Sequence, residues 1–230
     1  MSLVYIISAP SGSGKSTLVN ELRKLVRDLV FSISYTTRLP RGSEQNGREY
    51  FFISRPEFEA MIRSGDFLEY AEVFGNYYGT ARSFLVEAER KGYDLLLDID
   101  VQGAEQIKRK IPQAVSIFIL PPDRKTLEWR LKNRSLDGED VIRRRLATAS
   151  REIENYPKYD YILVNDRLEE STEALRAIVL SERLRHSGTK RSEDEIRLSE
   201  MAGRFRLDNV QERVRPIVAS FAKPLAQGED

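Results

Sequence analysis

The chain has 230 residues and a mass of 26.5 kDa, which suits one ordinary domain with an insert or a tail. Lys and Arg total 37 against 36 Asp and Glu, and this net charge of +1 excludes a strongly basic nucleic-acid binder by bulk charge. The lack of cysteine excludes disulfides, thiolate catalysis and Cys-based zinc sites, and the single histidine, His186, excludes His-cluster metal sites.

The N-terminal pattern predicts a strand, a loop and a helix. Leu3 to Ile7 is a short apolar run rich in β-branched residues, and a loop of Gly, Ser and Pro follows it. Apolar residues then recur at helical spacing through Leu18, Leu22, Leu25, Val26 and Leu29, which predicts a helix over this stretch.

Further along, buried strands alternate with helices. The continuous apolar runs Leu95–Ile99, Val115–Leu120 and Tyr161–Val164 are typical of strands in a parallel sheet. The alternation predicts an α/β fold with a parallel sheet core flanked by helices. The predicted helices are Val101–Lys110, Arg124–Arg134, Gly138–Asn155 and Leu168–Arg185.

Residues 34–80 break this alternation and are rich in glycine and aromatic residues. Arg48–Ser54 predicts a short strand and Pro56–Ser64 a short helix, so we expect an insert that folds as a small lobe. A second irregular stretch, Asn133–Asp140, joins two charged helices and is expected to form the tip of a mobile lid.

The last forty residues predict two amphipathic helices. Ser192–Glu195 is a capping box that leads into the first apolar stripe. Pro216 should kink the second helix unless it falls within the first turn of a shorter one. Apolar stripes of this size must be buried, and we expect self-association or docking within the chain, although binding of a separate partner also fits. The stripes are Leu198, Met201, Ala202 and Phe205, and then Val210, Val214, Ile217, Val218 and Phe221.

The strongest motif is a phosphate-binding loop between the first strand and the first helix. Gly12 and Gly14 let backbone N–H groups turn toward phosphate oxygens, and the helix directs its positive end at them. Lys15 would reach the β- and γ-phosphates, and the Ser16 hydroxyl would ligate Mg²⁺. The alternative is a plain Gly/Ser turn. The predicted ATP-binding residues are Ala9, Pro10, Ser11, Gly12, Ser13, Gly14, Lys15, Ser16 and Thr17.

Two carboxylates, Asp98 and Asp100, follow the apolar run Leu95–Leu97. Side chains at the carboxyl end of a parallel strand point into the ligand crevice of an open α/β sheet. Asp98 could therefore position Mg²⁺ through water, and the alternative is an ordinary aspartate at a strand-to-turn junction.

Arg38 and Arg41 lie three residues apart in a turn-like segment of the insert. Two guanidinium forks can grip one phosphate, and the hydroxyls of Tyr50 and Tyr78 could add donors. The alternative is a pair of solvated loop arginines.

These motifs, taken together and in order, resemble those of bacterial guanylate kinases over about residues 3–186. The matching segments are Ala9–Thr17, Ser34–Arg41, Gly47–Phe52, Phe67–Glu72, Gly75–Gly79, Leu97–Gly103 and Val164–Asp166.

The resemblance implies a P-loop nucleoside monophosphate kinase that catalyses ATP + GMP ⇌ ADP + GDP with Mg²⁺. It also implies a core, a GMP-binding lobe and a lid within residues 1–188. The expected boundaries are 1–33, 81–123 and 156–188 for the core, 34–80 for the lobe and 124–155 for the lid, which leaves 189–230 as a helical tail without a family role.

By the same resemblance, one group of residues in the insert and core binds GMP. Guanine offers N1–H and N2–H₂ donors beside an O6 acceptor, so carboxylates can accept from it and hydroxyls can donate to it. Adenine would leave buried groups unpaired, which can cost about 10⁴–10⁵-fold in discrimination. Arg38, Arg41, Tyr50 and Tyr78 are expected to hold the phosphate, and Ser34, Glu69, Thr80 and Asp100 to read the base.

The lid arginines implied by the resemblance are Arg130, Arg134 and Arg145, which would neutralise charge on the transferring phosphoryl group. With Lys15 and Arg38 they form the expected catalytic set. Arg143 and Arg144 make the choice of Arg145 open, and a solvated helix face is the alternative. Asn165 is expected near the adenine. Ser135 stands where the family usually has Gly after the second lid arginine.

Two other functions stay open at this point. A catalytically inactive guanylate-kinase-like domain would serve as an interaction module, and a related kinase would use a phosphorylated ribose as acceptor. No apolar run is long enough to cross a bilayer and no signal-peptide layout opens the chain, so we expect a cytoplasmic enzyme with neither a membrane nor a nucleic-acid partner.

Overall fold

The computed structural model describes residues 2–73, 75–134, 138–188 and 192–222. The chain divides into two compact units. The first unit consists of residues 1–7 and 26–115, and the second of residues 8–25 and 116–230. Among the described helices, none combines the length and apolar character that a membrane crossing requires.

The strands match the continuous apolar runs of the sequence closely, because such runs favour strands covered on both faces. The predicted strands Val115–Leu120 and Tyr161–Val164 have the observed bounds. The predicted strands Leu3–Ile7 and Leu95–Ile99 differ by one residue at each end from β1 and β7. The strands are β1 (Val4–Ser8), β2 (Leu29–Phe31), β3 (Tyr35–Thr36), β4 (Phe51–Phe52), β5 (Phe67–Val73), β6 (Asn76–Ala81), β7 (Asp94–Asp98), β8 (Val115–Leu120) and β9 (Tyr161–Val164).

The predicted helices are present, and two of them, Val101–Lys110 and Arg124–Arg134, have the predicted bounds. The helices are α1 (Lys15–Leu25), α2 (Arg55–Ser64), α3 (Arg82–Lys91), α4 (Val101–Lys110), α5 (Arg124–Arg134), α6 (Glu139–Ile153), α7 (Leu168–Ser187), α8 (Glu193–Gly203) and α9 (Leu207–Ala222), with a 3₁₀ turn at Tyr156–Lys158.

The extension of the first helix to Leu29 is wrong. Helix α1 ends at Leu25, whose side chain is 48% exposed, and Asp28 has a φ of 58°. A right-handed helix cannot pass through this left-handed backbone, so the helical pattern does not extend to Leu29. Leu29 instead begins β2.

Within the first unit, β7 pairs in parallel with β1 and with β2. Tyr5 lies opposite Leu96, and Val30 lies opposite Leu95. The side chains of β1 and the Leu residues of β7 are buried without alternation, as expected for a parallel sheet. The carboxyl end of β7 leads through Asp98 to Asp100, which begins α4 as its N-cap.

The insert carries its own sheet in the strand order β4-β3-β6-β5. Strands β5 and β6 form an antiparallel hairpin, β3 pairs antiparallel with β6, and β4 pairs in parallel with β3. The predicted strand Arg48–Ser54 is reduced to Phe51–Phe52, while the β5–β6 hairpin was not predicted. The hairpin packs on a small aromatic core, so buried and exposed residues do not alternate regularly along β5 and β6.

Helix α2 supplies the centre of this core. Phe58 is fully buried and stacks on Phe67 at 4.4 Å and on Tyr77 at 5.1 Å between ring centroids. Ser54 and Glu57 form a capping box that fixes the start of the helix. The insert is thereby held together by aromatic packing between one helix and one hairpin.

In the second unit, β8 pairs in parallel with β9, and the tail packs on the same unit. The predicted capping box of Ser192 and Glu195 is present, and α9 runs through Pro216 as one helix, with Pro216 outside its first turn. The buried apolar residues of the tail are Ala202, Val210, Val214, Ile217 and Phe221. The predicted lid tip includes residues 135–137, which lie outside the described residues.

We expect Phe58→Ala to destabilise the protein by about 3–5 kcal/mol, because it leaves a cavity between two stacked rings. Val86→Ala is the matched control, since Val86 is an exposed residue of α3. Urea denaturation of both variants measures the difference. Equal unfolding midpoints for Phe58→Ala and Val86→Ala would contradict the importance of this core.

Candidate active site

The phosphate-binding loop joins β1 to α1 as predicted. Gly12 has a φ of 93° and Gly14 a φ of 89°, a left-handed region that favours glycine. The Ser13 backbone N–H donates to the carbonyl of Pro10 at 3.1 Å, which closes the loop, and α1 begins at Lys15. The Ser13 hydroxyl is buried without a hydrogen-bond partner among the described residues, so it can donate to a phosphate oxygen.

Asn165 supports this loop from the end of β9. Its side-chain Nδ2 donates to the Ser13 carbonyl at 2.7 Å, and it is buried. A Cβ added to Gly14 would lie 2.3 Å from that Nδ2, so the close approach requires glycine at this position. Asn165, predicted to contact ATP, is thus placed as a support of the phosphate loop.

Two of the predicted lid arginines contact the same loop region. The Arg145 Nη2 donates to the Ser11 hydroxyl at 2.7 Å, and the Arg130 Nη2 donates to the Asn165 carbonyl at 3.1 Å. Arg143, in contrast, is solvent-exposed and pairs with Asp140. Among the neighbouring arginines, the structure therefore favours Arg145. The side chain of Arg134, at the end of α5, lies outside the described part of the chain.

A cavity of about 320 Å³ opens beside the phosphate loop. Trp129, the single tryptophan of the chain, lines it and is 64% exposed. A large exposed aromatic beside a phosphate loop offers a surface for a planar ring. Trp129 was not predicted as a site residue, because it lies on a helix without apolar periodicity. The lining residues are Gly12, Gly14, Trp129, Arg130 and Asn133.

A second polar cluster lies in the insert, within the first unit. Arg38 follows β3, and its guanidinium makes a bidentate pair with Glu44 at 2.9 and 3.0 Å. Only 10% of the Arg38 side chain is exposed. Burial opposes the charge, but the Glu44 carboxylate and Tyr78 together raise the pKa of Arg38 above its ordinary value. Hydrogen bonding to Arg38 lowers the pKa of Glu44 in turn.

Aromatic rings flank this guanidinium. Arg38 lies 5.2 Å from the Tyr50 ring centroid, and the Tyr50 and Tyr78 rings meet edge to face at 5.9 Å. The structure thus brings together three of the four residues predicted to hold a phosphate. The fourth, Arg41, is exposed in the same loop, and its backbone N–H donates to Glu44 at 2.7 Å. Glu44 was not predicted, since its role depends on a fold of the loop that the sequence does not reveal.

Glu69 is a carboxylate almost without solvent. It is 3% exposed, and burial raises its pKa to about 7. The carboxylate of Asp100 raises the pKa further, while Thr80 and the ammonium group of Lys110 lower it in part. Glu69 pairs with Thr80 across the β5–β6 hairpin, and the Thr80 hydroxyl is buried without a well-formed hydrogen bond in the described structure.

Helix α4 closes one side of Glu69. A Cβ on Gly103 would lie 2.5 Å from the Glu69 Oε2, so only glycine admits the carboxylate at its present position. The Gly103 N–H donates to Asp100 at 2.8 Å, which makes Asp100 the N-cap of α4. Gln106 bonds the backbone of Tyr70 at 3.3 and 2.7 Å, which ties β5 to the same helix.

The remaining predicted residues are less tightly placed. Ser34 precedes β3 and is half-buried, and its carbonyl accepts from the Phe51 N–H at 2.9 Å. Asp98 ends β7 and Ser16 lies in the first turn of α1. Among the described residues, no three His, Cys, Asp or Glu side chains converge to hold a metal. A magnesium ion bound mainly through nucleotide phosphates needs no such cluster, and hydroxyl and carboxylate oxygens suit it.

Comparison with known proteins agrees with this geometry. The sequence model of the family described as guanylate kinase matches residues 1–182. The chain is 60% identical over 221 residues to a guanylate kinase of Koribacter versatilis (strain Ellin345), covering 95% of both chains. It is 48% identical over 193 residues to a guanylate kinase of Escherichia coli (strain K12), covering 83% of this chain and 93% of the relative.

A solved structure shows the same fold. The crystal structure of guanylate kinase from Anaplasma phagocytophilum superposes with a TM-score of 0.68 at 35% identity, covering 80% of this chain and 87% of that chain. The predicted α/β fold, with a mostly parallel sheet core and flanking helices, is therefore confirmed. The match to the Koribacter relative covers 95% of this chain and therefore includes most of the C-terminal tail.

We expect the side chain of Glu69 to titrate near pH 7, because burial disfavours its charged form. Carboxyl ¹³C NMR against pH measures this, with the resonance assigned by its loss in Glu69→Gln. Glu57 is the internal control, since hydrogen bonds from Ser54 lower its pKa. A Glu69 midpoint at or below that of Glu57 would contradict the desolvated site.

Proposed function

Since this chain belongs to the guanylate kinase family, which transfers the γ-phosphoryl group of ATP to GMP, we propose a separate place for each substrate. The first unit binds GMP, and the second unit binds ATP. The observation that carries the GMP assignment is the burial of Glu69 beside Thr80 and Asp100. A desolvated acceptor beside hydroxyl and carboxylate groups matches the donor and acceptor edge of guanine. The phosphate loop, with Lys15 at the start of α1, supports the ATP assignment.

Guanine recognition follows from the chemistry of this pocket. The Glu69 carboxylate would accept from N1–H and N2–H₂ of the base, and Asp100 would share these donors. The hydroxyls of Thr80 and Ser34 would donate to O6. Because Glu69 and Thr80 are removed from water, a base that leaves them unpaired would be discriminated against strongly.

The phosphate of GMP is proposed to bind at Arg38, Arg41, Tyr50 and Tyr78. Arg38 makes a bidentate contact with Glu44, so the phosphate would bind to guanidinium N–H groups that Glu44 does not use. Glu44 would orient this guanidinium and the Arg41 backbone. The tyrosine hydroxyls would add neutral donors, so that the site binds a phosphate dianion without an excess of fixed charge.

On the ATP side, we assign the triphosphate to Ala9–Thr17. The backbone N–H groups at Gly12 and Gly14 and the Ser13 hydroxyl would bind oxygens, and Lys15 would neutralise the β- and γ-phosphates. Asn165 would act through its hydrogen bond to the loop. Ser13 supports this assignment, since its buried hydroxyl has no hydrogen-bond partner in the described part of the chain and needs an acceptor.

Phosphoryl transfer needs alignment and charge neutralisation more than covalent chemistry. We propose that Lys15, Arg38, Arg130, Arg134 and Arg145 supply this neutralisation. A well-placed arginine contributes about 10³–10⁵-fold in related systems. The contacts of Arg130 and Arg145 near the phosphate loop support their inclusion, while Arg134 rests on the family resemblance alone.

Magnesium is proposed as the cofactor of ATP. When bound, it would shield charge on the phosphate oxygens. The Ser16 hydroxyl would be its protein ligand, and Asp98 would act through a water molecule. Both are hard oxygen donors of the kind that Mg²⁺ prefers.

The division into a core, a GMP-binding lobe at 34–80 and a lid at 124–155 is also a proposal. The separate sheet and aromatic core of the insert support the lobe, and the arginines on α5 and α6 support the lid. A cytoplasmic location likewise stays a prediction.

The first test is ADP release with ATP and Mg²⁺, with GMP, AMP, UMP or CMP as acceptor. Rapid turnover with GMP alone is the expected result, since Glu69 and Thr80 match guanine. Comparable turnover with AMP would overturn the base-reading assignments. Failure with all four, by a folded protein that binds ATP, would favour a phosphorylated-ribose acceptor or an interaction module.

Lys15→Ala should lose most of its activity while it stays folded, because the triphosphate loses its closest cation. Lys24→Ala is the matched control, since Lys24 is an exposed residue of the same helix that pairs with Glu21. Turnover assays and circular dichroism compare the two. Near-wild-type turnover of a folded Lys15→Ala protein would refute the assigned role of the phosphate loop.

Self-association through the tail stays a prediction. The buried apolar residues of α9 pack within the second unit, so a second copy would use the outer face of α8, where Ile196 is 46% exposed. Light scattering of the wild type and Ile196→Glu tests this. A dimer that becomes monomeric in the variant is the predicted result, and a monomeric wild type would contradict it.

A further inference from the structure

The tail packs against the helices that carry the arginines of the ATP side. Helix α9 contacts α5, α6 and β9, all within the second unit. Its buried residues are Val210, Val214, Ile217 and Phe221, which recur at intervals of three and four and so form one face. This face is therefore already occupied by the chain's own lid helices.

Hydrogen bonds join the end of α9 to the start of α5. The Arg124 backbone N–H donates to the Ser220 hydroxyl at 3.2 Å, and the Arg124 Nη1 donates to the Phe221 carbonyl at 3.3 Å. The first N–H groups of a helix lack partners within it, so Ser220 satisfies one of them from outside. Asp123 satisfies another by accepting from the Thr126 N–H at 2.7 Å. The position of α5 thus depends directly on the tail.

A second set of contacts anchors the turn between α8 and α9. The Ile162 N–H donates to the Phe205 carbonyl at 2.8 Å, and the Leu207 N–H donates to the Asp160 carbonyl at 3.1 Å. The tail is thereby paired with the backbone at β9. These bonds hold one end of α9 while Ser220 and Phe221 hold the other.

An ion pair between the partly exposed Arg206 and the buried Glu182 strengthens this anchor. The Arg206 Nη2 donates to Glu182 at 2.9 Å, and the Arg206 guanidinium lies 5.1 Å from the Tyr161 ring centroid. The Tyr161 hydroxyl donates to the same Glu182 oxygen. Since Glu182 is buried on α7, loss of Arg206 would leave its charge less compensated.

From these contacts we propose that the tail is a positioning element of the enzyme, which fixes α5 and α6 so that Arg130 and Arg145 are aligned for phosphoryl transfer. The inference rests on the proposed function of those arginines. Both lie on helices that α9 contacts, and Arg145 reaches the phosphate loop only from α6. Misplacement of a catalytic group by about 1 Å can cost about 10²-fold in rate.

The proposed role of the tail affects kcat and KM for GMP differently. The residues assigned to GMP all belong to the first unit, whereas the tail packs on the second. Loosening the tail should therefore lower kcat and leave KM for GMP nearly unchanged. A general loss of stability would instead lower the amount of active enzyme, which active-site titration measures.

The main test uses the full chain with Val214→Ala combined with Phe221→Ala, which removes packing but leaves every assigned site residue. Arg215→Ala is the matched control on the exposed side of α9, where Arg215 pairs with the exposed Glu212. We expect kcat per active site to fall about 10-fold or more in the double variant, with KM for GMP within about twofold of wild type. The control should match wild type in both constants.

Trp129 provides a readout that does not depend on activity, because it is the single tryptophan and lies on α5. Its fluorescence anisotropy should fall in the double variant and stay unchanged in Arg215→Ala. Unchanged kcat together with a lowered anisotropy would overturn the proposal, since α5 would be loosened without effect. Unchanged anisotropy together with hydrogen exchange showing a loosened α9 would overturn it as well.

A milder variant covers the case in which the double variant does not fold. Ser220→Ala removes only the hydroxyl that accepts from Arg124, and a smaller fall of kcat in the same direction is expected. No change in kcat or in Trp129 anisotropy for Ser220→Ala would then refute the role of this contact. If wild type fails to phosphorylate GMP, the proposed function fails, whereas the anisotropy comparison still tests whether the tail holds α5.

Discussion

The proposed GMP site depends first on the desolvation of one carboxylate, that of Glu69. Glu69 lies on β5 with Thr80 opposite, and α4 closes over it at a glycine, Gly103, where any side chain would collide. In water a carboxylate forms hydrogen bonds with solvent at little cost, so it distinguishes bases poorly. Once buried, a carboxylate needs donors in place of water, and under the proposed function a base without matching donors would be penalised.

The donor side depends on a different constraint, the shape of a short backbone loop. Gly14 must approach Asn165 closely, and Asn165 in turn holds the Ser13 carbonyl. The arginines that approach this region come from helices that the tail contacts. Under the proposed role of the tail, contacts from α9 through α5 and α6 would position the arginines of the ATP side, whereas Glu69 is enclosed by the insert and α4.

The sequence predicted some parts of this structure better than others. Buried strands such as Tyr161–Val164 and the phosphate loop were predicted well, because their signals are local. Leu29 was assigned to the wrong element. The left-handed residue between α1 and β2 is Asp28 and not a glycine, so the sequence did not indicate the break. Glu44, Gly103 and Trp129 were missed because their importance depends on neighbours distant in sequence. The docking of the tail was one of several open outcomes, since an apolar stripe does not identify the surface that covers it.

The central claim is that guanine is read by the buried carboxylate of Glu69, and its pH dependence tests this most directly. Because burial raises the pKa of Glu69 to about 7, the carboxylate is protonated below that value and can no longer accept from the base as an anion. KM for GMP should therefore rise as the pH falls from 8 to about 6. In Glu69→Gln, KM should be high at every pH, and its pH dependence should be reduced to that of the GMP phosphate, whose second pKa is about 6, while KM for ATP is kept. An identical pH profile of KM for GMP in wild type and Glu69→Gln would contradict the account.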